Sequence, residues 1–465
     1  MYIIIEYIAC YCNKSMSSYT YRLNIKIGKE MKTIKNISIG GFKNLKNTTI
    51  ELQKVTALVS QNNYGKSNFL QGIKFAQYFL TSGEKQRKRM MAWPNGIPLN
   101  IDSMNDPFRF EIEFYDSSLE EEYQFVRYGF SFIWFRDDNT GQKIVDEWIE
   151  MRNNESVKYS SYLKRNKGEY RKAKTTNAFR KILLNEYQLA IDTLASIEDI
   201  EYGSVIKMIK ETSFRVCSAL DVQDRYFTVP FEFDNDLKSN MHEDIPELLF
   251  SLKEKDLERF LIFKESILSL FPEFVDFEVT KTEFENHPEL VQMFFYSNEK
   301  EKDSKNPPFR IKNEEYKIFV QKKFINQPIN LTTLSAGTKR LFWILAILFS
   351  NTSGYSVFGI EELETSIHPR LLKRTLEIIY ENLNDVVLLI TSHSPYLIQY
   401  LKLESLYIGK PGGKGSATFQ KVSKGKQKLL RNTAQNIGLS VGEYLFDLMS
   451  GDSKSSSILD KYLDV

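Results

Sequence analysis

The sequence holds little from which a disulfide scaffold or a metal cluster could be built. Its three cysteines are Cys10, Cys12 and Cys217, and the Cys10/Cys12 pair has no further ligand-type residues at metal spacing. Its four histidines, His242, His287, His368 and His393, are too scattered for a His-rich metal site. An excess of charge of one sign is missing too. With 62 basic residues against 60 acidic ones, any polyanion must be held by local patches. No apolar run approaches the ~20 residues that cross a bilayer. Residues 1–12 are apolar but short, and lack the basic start and small-residue cleavage site of a secretion signal. Sustained heptads are absent, which argues against long coiled-coil arms, and no internal repeat or low-complexity segment is present. A reducing, cytoplasmic setting is the expectation that remains.

What is present is enough apolar sequence, 42% of 465 residues, to bury a sizeable core in two or three lobes. A regular strand pattern begins at Thr33, so residues 1–30 read as an N-terminal appendage ahead of a start at Met31. Residues 33–59 read as two strands joined through Gly40-Gly41-Phe42-Lys43-Asn44-Leu45, and a helical pattern runs from Phe69 to Leu80. Residues 82–100 are polar and basic with a Pro94-Asn95-Gly96 turn signal, and read as a loop. Phe108, Phe110, Ile112 and Phe114 alternate, and residues 123–135 and 143–151 continue this strand pattern, predicting an antiparallel sheet within a first lobe at 31–175. From about Asn177 to Phe271 the period becomes helical, so residues 176–273 are expected to form a helical insertion. A strand pair is expected near Phe274–Thr282 and Val291–Ser297, in a second lobe at 274–408 followed by a C-terminal segment at 409–465.

The chemistry is concentrated in four short stretches. Val59-Ser60-Gln61-Asn62-Asn63-Tyr64-Gly65-Lys66-Ser67-Asn68 reads as a phosphate-binding loop between an apolar strand, Val55 to Val59, and a helix. Backbone N–H groups and a helix N-terminus suit an anionic phosphate. Lys66 would reach the β- and γ-phosphates of a nucleotide, and the Ser67 hydroxyl would hold Mg²⁺. Ser60 stands where the pattern G-x-x-x-x-G-K-[ST] has glycine. Leu334-Ser335-Ala336-Gly337 precedes an apolar helix, Leu341 to Phe349, and reads either as a second phosphate contact or as an ordinary N-cap. A buried-strand run, Tyr355 to Ile360, ends in Glu361-Glu362-Leu363-Glu364-Thr365-Ser366-Ile367-His368-Pro369. Two carboxylates at a strand end suit metal and water chemistry, the alternative being a solvated acidic turn. Val386 to Ile390 leads into Thr391-Ser392-His393-Ser394-Pro395, where His393 is either catalytic or structural and Pro395 starts a helix.

Together and in this order the four stretches resemble the ATPase head of the ABC superfamily, in the branch that includes SMC, RecF and the OLD (overcoming lysogenization defect) proteins. The opening, Ile39-x-Gly41-Phe42-Lys43-Asn44-Leu45 through Gly65-Lys66-Ser67-Asn68, is similar to that branch. Leu334-Ser335-x-Gly337 resembles its signature, Glu361-Glu362-x-Glu364 its Walker B form with Glu for the usual Asp, and Thr391-Ser392-His393 its H-loop. The likeness covers roughly residues 33–175 and 275–408. It implies an α/β fold, with a mixed core sheet, a flanking antiparallel sheet and a helical insertion. It also implies ATP and Mg²⁺ as ligands and a head-to-tail dimer. Asn62, Asn63, Gly65, Lys66, Ser67 and Asn68 would bind ATP in one head, and Ser335 and Gly337 would close over it from the other. Ser67, and Glu361 through water, would hold Mg²⁺; Glu362 would polarise the attacking water, and His393 would sense the γ-phosphate. A Q-loop glutamine is not fixed by the sequence, Gln77 and Gln86 being the candidates.

Only 72 residues follow His393, without the acidic set of a Toprim nuclease, so a fused nuclease is not expected. Stand-alone heads of this kind resemble the ATPase subunits of anti-phage systems of the Septu and PARIS types, which work with a separate nuclease or toxin. A DNA-clamping ATPase of repair or chromosome maintenance is the alternative. Nucleic acid could be met by two basic patches: Lys164, Arg165, Lys167, Arg171, Lys172, Lys174, Arg180 and Lys181, and a second set from Lys402 to Arg431. The first is interleaved only by Tyr162 and Tyr170, so base stacking is weakly signalled.

Overall fold

The computed structural model describes residues 32–464 apart from 63, 99, 139, 175–177, 219–230, 234–243, 284–308, 312–313, 351–355, 412–414 and 451–452. The appendage expected at residues 1–30 and the strand expected at Val291–Ser297 lie outside the described residues.

Five apolar or nearly apolar residues in a row, Val55–Val59, are all buried, as are all six of Val387–Ser392. Strands buried on both faces belong inside a parallel sheet with cover on each side. That is where they lie. The core sheet runs Ser213–Cys217, Ser356–Glu361, Val387–Ser392, Val55–Val59, Leu406–Pro411 and Ala417–Lys421. Each neighbouring pair is parallel except the last. The sheet is a wall between two hydrophobic clusters. Val55, Ala57, Val59, Leu388 and Ile390 face one cluster, and Leu58, Val387 and Leu389 face the other.

The first cluster is filled by the helix Ala336–Ser350, in which every residue from Arg340 to Phe349 is buried. A helix apolar on all sides needs cover all round. The helices Ile245–Lys255 and Leu257–Leu270 supply part of it, with Phe263 packed on both Phe342 and Phe349. Each fully buried Leu or Phe contributes about 1.5–3 kcal/mol relative to exposure. A small antiparallel sheet, Phe274–Glu283, Glu314–Lys322 and Ile329–Asn330, packs here through Phe277.

The second cluster joins the core sheet to an eight-stranded antiparallel sheet, in the order Leu45–Glu51, Lys32–Phe42, Phe108–Asp116, Phe125–Ile133, Lys143–Arg152, Ser160–Lys164, Glu169–Tyr170 and Arg180–Lys181. The helix Lys66–Thr81 lies between the sheets. Phe79 stacks on Phe130 and Phe132, with centroids 5.0 and 4.9 Å apart, and Leu70 packs over Gly359 of the core sheet. The opposite face of the antiparallel sheet carries cross-strand ion pairs of Arg127 and Arg152 with Glu111, Glu113 and Glu150, and an Arg109–Glu111 pair within one strand, the period of two expected of a half-buried sheet.

Three expectations need correction. Residues 33–59 hold three strands, because Val55–Val59 leaves the hairpin Lys32–Phe42/Leu45–Glu51 for the other sheet. The stretch 82–100 is not all loop: Glu84–Met90 is helical and Pro94–Gly96 forms a 3₁₀ turn. Within it Arg87 turns inward, only 2% exposed. It donates to Phe79 O and Leu80 O at 3.0 Å each and pairs with Asp192, satisfying the last carbonyls of the preceding helix. The stretch 176–273 contains helices at Ala190–Leu194, Gly203–Glu211, Ile245–Lys255 and Leu257–Leu270, but also Arg180–Lys181 of the antiparallel sheet and Ser213–Cys217, an edge strand of the core sheet. The first of these helices is tied down by Glu147, which is fully buried and accepts N–H bonds from Ala190 and Ile191 and the Tyr128 hydroxyl. Burial pushes the Glu147 carboxyl up to about 7, and the two amides oppose that rise.

Candidate nucleotide site

The loop from Ser60 to Gly65 connects the central strand to its helix. Gly65 has φ 88°, and a Cβ there would lie 2.5 Å from Ala417 Cβ, so glycine is required. Lys66, only 5% exposed, donates from Nζ to Ser60 O at 2.7 Å, Gln61 O at 2.8 Å and Ser60 Oγ at 3.2 Å. Burial lowers its pKa, and Glu362, Glu364 and Glu361 oppose that shift. A desolvated ammonium resting on loop carbonyls suits a more strongly bound anion such as a phosphate chain. The glycine missing at Ser60 is compensated next door. A Cβ on Gly409, in the adjacent strand, would stand 2.8 Å from Ser60 Cβ, so glycine at 409 makes the room that serine at 60 takes.

Asn62 is exposed, Ser67 is half-buried in the first helical turn, and Asn63 lies outside the described residues. Asn68 is half-buried against the hairpin turn, donating from Nδ2 to Asn44 Oδ1 at 2.8 Å.

The neighbouring strands end in the acids and the histidine. Glu361 closes the strand Ser356–Glu361, and its Oε2 accepts from Ser218 Oγ at 2.9 Å. Ser218 follows the edge strand and was not foreseen, since nothing in a five-residue strand marks it as a neighbour of the acids. Glu362 has φ 49°, a conformation that non-glycine residues adopt mainly where the surroundings enforce it. Its N–H donates to Thr391 O at 2.9 Å and Thr391 Oγ1 at 3.2 Å, and its Oε1 stands 3.3 Å from His393 Nδ1. Arg340, 1% exposed, donates to Glu361 O and, at 2.9 Å, to Glu362 O, pinning the acid pair from below. Burial lowers the Arg340 pKa, and the surrounding groups, Glu364 and Glu362 among them, oppose the shift.

Ser335 is the N-cap of its helix: its Oγ accepts the Thr338 N–H at 3.2 Å and its carbonyl accepts from Lys339 at 3.0 Å. The residue is exposed, so the cap leaves it open to a second molecule. Gly337 makes a close approach within the chain, since a Cβ there would lie 2.1 Å from Ser366 O, in the turn after the acids. His368 caps the helix Pro369–Asn382 by accepting the Arg370 N–H. Gln77 is spent on the edge strand, accepting from Phe214 N–H at 2.8 Å, and Gln86 sits on the helix Glu84–Met90. Among the described residues no group of three His, Cys, Asp or Glu side chains could hold a metal ion. A Mg²⁺ bound chiefly by phosphate oxygens and water, with one hydroxyl such as Ser67, needs no such group.

The loop from Ser60 to Gly65 follows a central parallel strand, the acids end a strand two positions away and His393 follows the strand between them, the order of parts that the resemblance to an ABC-type ATPase head implies. Residues 228–399 match the family described as "AAA domain, putative AbiEii toxin, Type IV TA system", a segment holding Ser335, the acids and His393. Comparison with curated proteins returns no match. Solved structures similar to the chain include an SMC head domain from Thermotoga maritima, at 13% identity and TM-score 0.39 over 84% of this chain and 99% of that one. An Smc head with an extended coiled coil bound to the C-terminal domain of ScpA, from Pyrococcus furiosus, gives 12%, 0.48, 87% and 100%. An SmcHead bound to the C-winged helix domain of ScpA gives 14%, 0.46, 86% and 99%. Among the described residues no helix is long and apolar enough to cross a membrane.

Proposed function

We propose that two copies of this ATPase close head to tail around ATP, and that the closed pair acts as sensor and scaffold for a separate effector, a nuclease or toxin, in defence against phage. Two observations together carry this reading. Lys66, Glu361, Glu362 and His393 gather at the ends of neighbouring strands, while Ser335 stands exposed at its helix start. Lys66 and Ser67 hold the triphosphate. Mg²⁺, held by Ser67 and through water by Glu361, would neutralise phosphate charge. Glu362 orients the attacking water, His393 meets the γ-phosphate, and Ser335 and Gly337 of the second copy complete the site. Such catalysis is positioning and charge stabilisation, and closure is the switch.

The matched family's description names a putative toxin and a toxin–antitoxin system, and the defence role is proposed by analogy with it. The DNA-clamp alternative draws less support from the basic patches. Arg165 is turned inward onto Ile144 O, Asn185 O and Gln188 O. Lys172, Lys174 and Lys181 pair with Asp199, Glu122 and Glu169, and Lys410 and Lys421 with Asp460 and Glu51. The acidic stretches Asp221–Asp224 and Asp234–Asp236 lie outside the described residues.

Plasmid incubated with purified protein, ATP and Mg²⁺ or Mn²⁺ should stay intact, and DNA affinity at physiological salt should be weak with or without ATP. ATP-dependent DNA binding that falls steeply as salt rises would instead establish the clamp. Cleavage that survives re-purification would place the nuclease in this chain.

A further inference from the structure

We propose that Glu364 is a positioning residue for His393, a role that rests on the part given to His393 above. Glu364 lies two residues beyond Glu362, in the turn before the helix Pro369–Asn382. Its Oε1 accepts two hydrogen bonds from the end of the adjacent strand, from Ser392 Oγ at 2.7 Å and from the His393 N–H at 3.0 Å. Ser392 Oγ in turn accepts the Ser394 N–H at 3.0 Å. One carboxylate oxygen and one hydroxyl thus fix three successive residues where the strand turns into the helix Pro395–Tyr400.

The imidazole faces the same group. His393 Nδ1 stands 3.8 Å from Glu364 Oε1 and 3.3 Å from Glu362 Oε1. The His393 amide is therefore held by Glu364 Oε1, while the ring lies nearer Glu362 and its Nδ1 has no hydrogen-bond partner among the described residues. The ring has little else to hold it. It lines a cavity of about 310 Å³ together with Glu364, Thr365, Leu372, Pro395 and Tyr396.

Glu364 is only 11% exposed, so water competes weakly for these bonds. Its Oε2 is buried and has no hydrogen-bond partner among the described residues. A buried carboxylate with one idle oxygen is a poor choice for stability alone, and such groups call for another explanation. Here the explanation is reach. The glutamate chain spans from the acid turn to the His393 amide, and only Oε1 is needed for that.

The test is steady-state ATPase kinetics with nucleotide titration on the full chain. Glu364→Ala should lower kcat ~10- to 100-fold with ATP affinity held within ~3-fold, the mark of lost positioning. Glu364→Gln, whose Oε1 can accept the same two bonds, should recover turnover to within ~5-fold of the parent. Glu364→Asp keeps the charge but falls short by one methylene, so it should group with alanine; it also serves if the alanine variant folds poorly. In a His393→Ala background, Glu364→Ala should add no more than ~2-fold, because the residue acts through His393. Parent-like turnover of Glu364→Ala, glutamine as slow as alanine, or a full additive loss in the His393→Ala background would each overturn the positioning role. Parent-like turnover of His393→Ala alone overturns it differently, by removing the role of His393 on which it rests.

Discussion

Lys66→Ala is expected to lose ATP affinity by ~10³-fold, with little change in the stability of the nucleotide-free protein. The two halves of this expectation have one cause. The ammonium is buried, burial lowers its pKa, and its partners are carbonyl oxygens of its own loop, Ser60 O and Gln61 O. A desolvated cation on neutral acceptors adds little to the fold but strongly favours an incoming polyanion. Melting of the free variant should fall within ~3 °C of the parent, while the upward shift that ATP gives the parent should vanish. Calorimetric titration measures the affinity directly. Retained micromolar affinity would mean that the loop is not a phosphate site, and that serine at position 60 has undone the motif despite the room made by Gly409.

Glu362→Gln should bind ATP as the parent does and turn it over ~10²-fold more slowly or worse, since an amide cannot take a proton from or firmly orient the attacking water. The substitution is nearly isosteric. The backbone of Glu362 is fixed independently of its side chain by the bonds to Thr391, so the turn and its φ of 49° should survive. ATP-bound dimers should therefore accumulate, seen as a mass shift on light scattering with ATP that persists for the slow lifetime of the nucleotide. Glu361→Gln is the internal control. If it stops turnover while Glu362→Gln is close to normal, the roles of the two carboxylates are exchanged.

Much of this site could be read from the chain because its parts are local. A fully apolar run followed by a Gly-Lys-Ser loop, by two acids or by a histidine is contiguous in sequence, and Val55–Val59, Ser356–Glu361 and Val387–Ser392 became neighbouring parallel strands. What escaped is what depends on contacts between distant segments. Ser213–Cys217 is short and only partly buried, so its apolar pattern is weak. Its place beside the acid strand is set by pairing with residues 356–360. Arg87 sits in a stretch that reads as a polar loop, yet it closes a helix end. Gly409 has meaning only opposite Ser60, and the tie from Glu364 to His393 spans two strands that meet only in the fold. Helix and strand patterns report which face is buried, but not which partner covers it.

The central claim is that each ATP site is shared by two copies, and mixing two inactive variants tests it most directly. Lys66→Ala disables the phosphate loop. Ser335→Arg blocks the surface offered to the partner's nucleotide while leaving the loop of its own copy intact. In a head-to-tail pair of one each, one site carries both defects and the other carries neither. ATPase activity should therefore be near zero for either variant alone and return on mixing. It should peak near equimolar ratio at ~25% of the parent rate per head, because random pairing makes half the dimers mixed and each mixed dimer has one whole site. Mixed pairs detected by differential tagging, but with no return of activity at any ratio, would contradict the shared site.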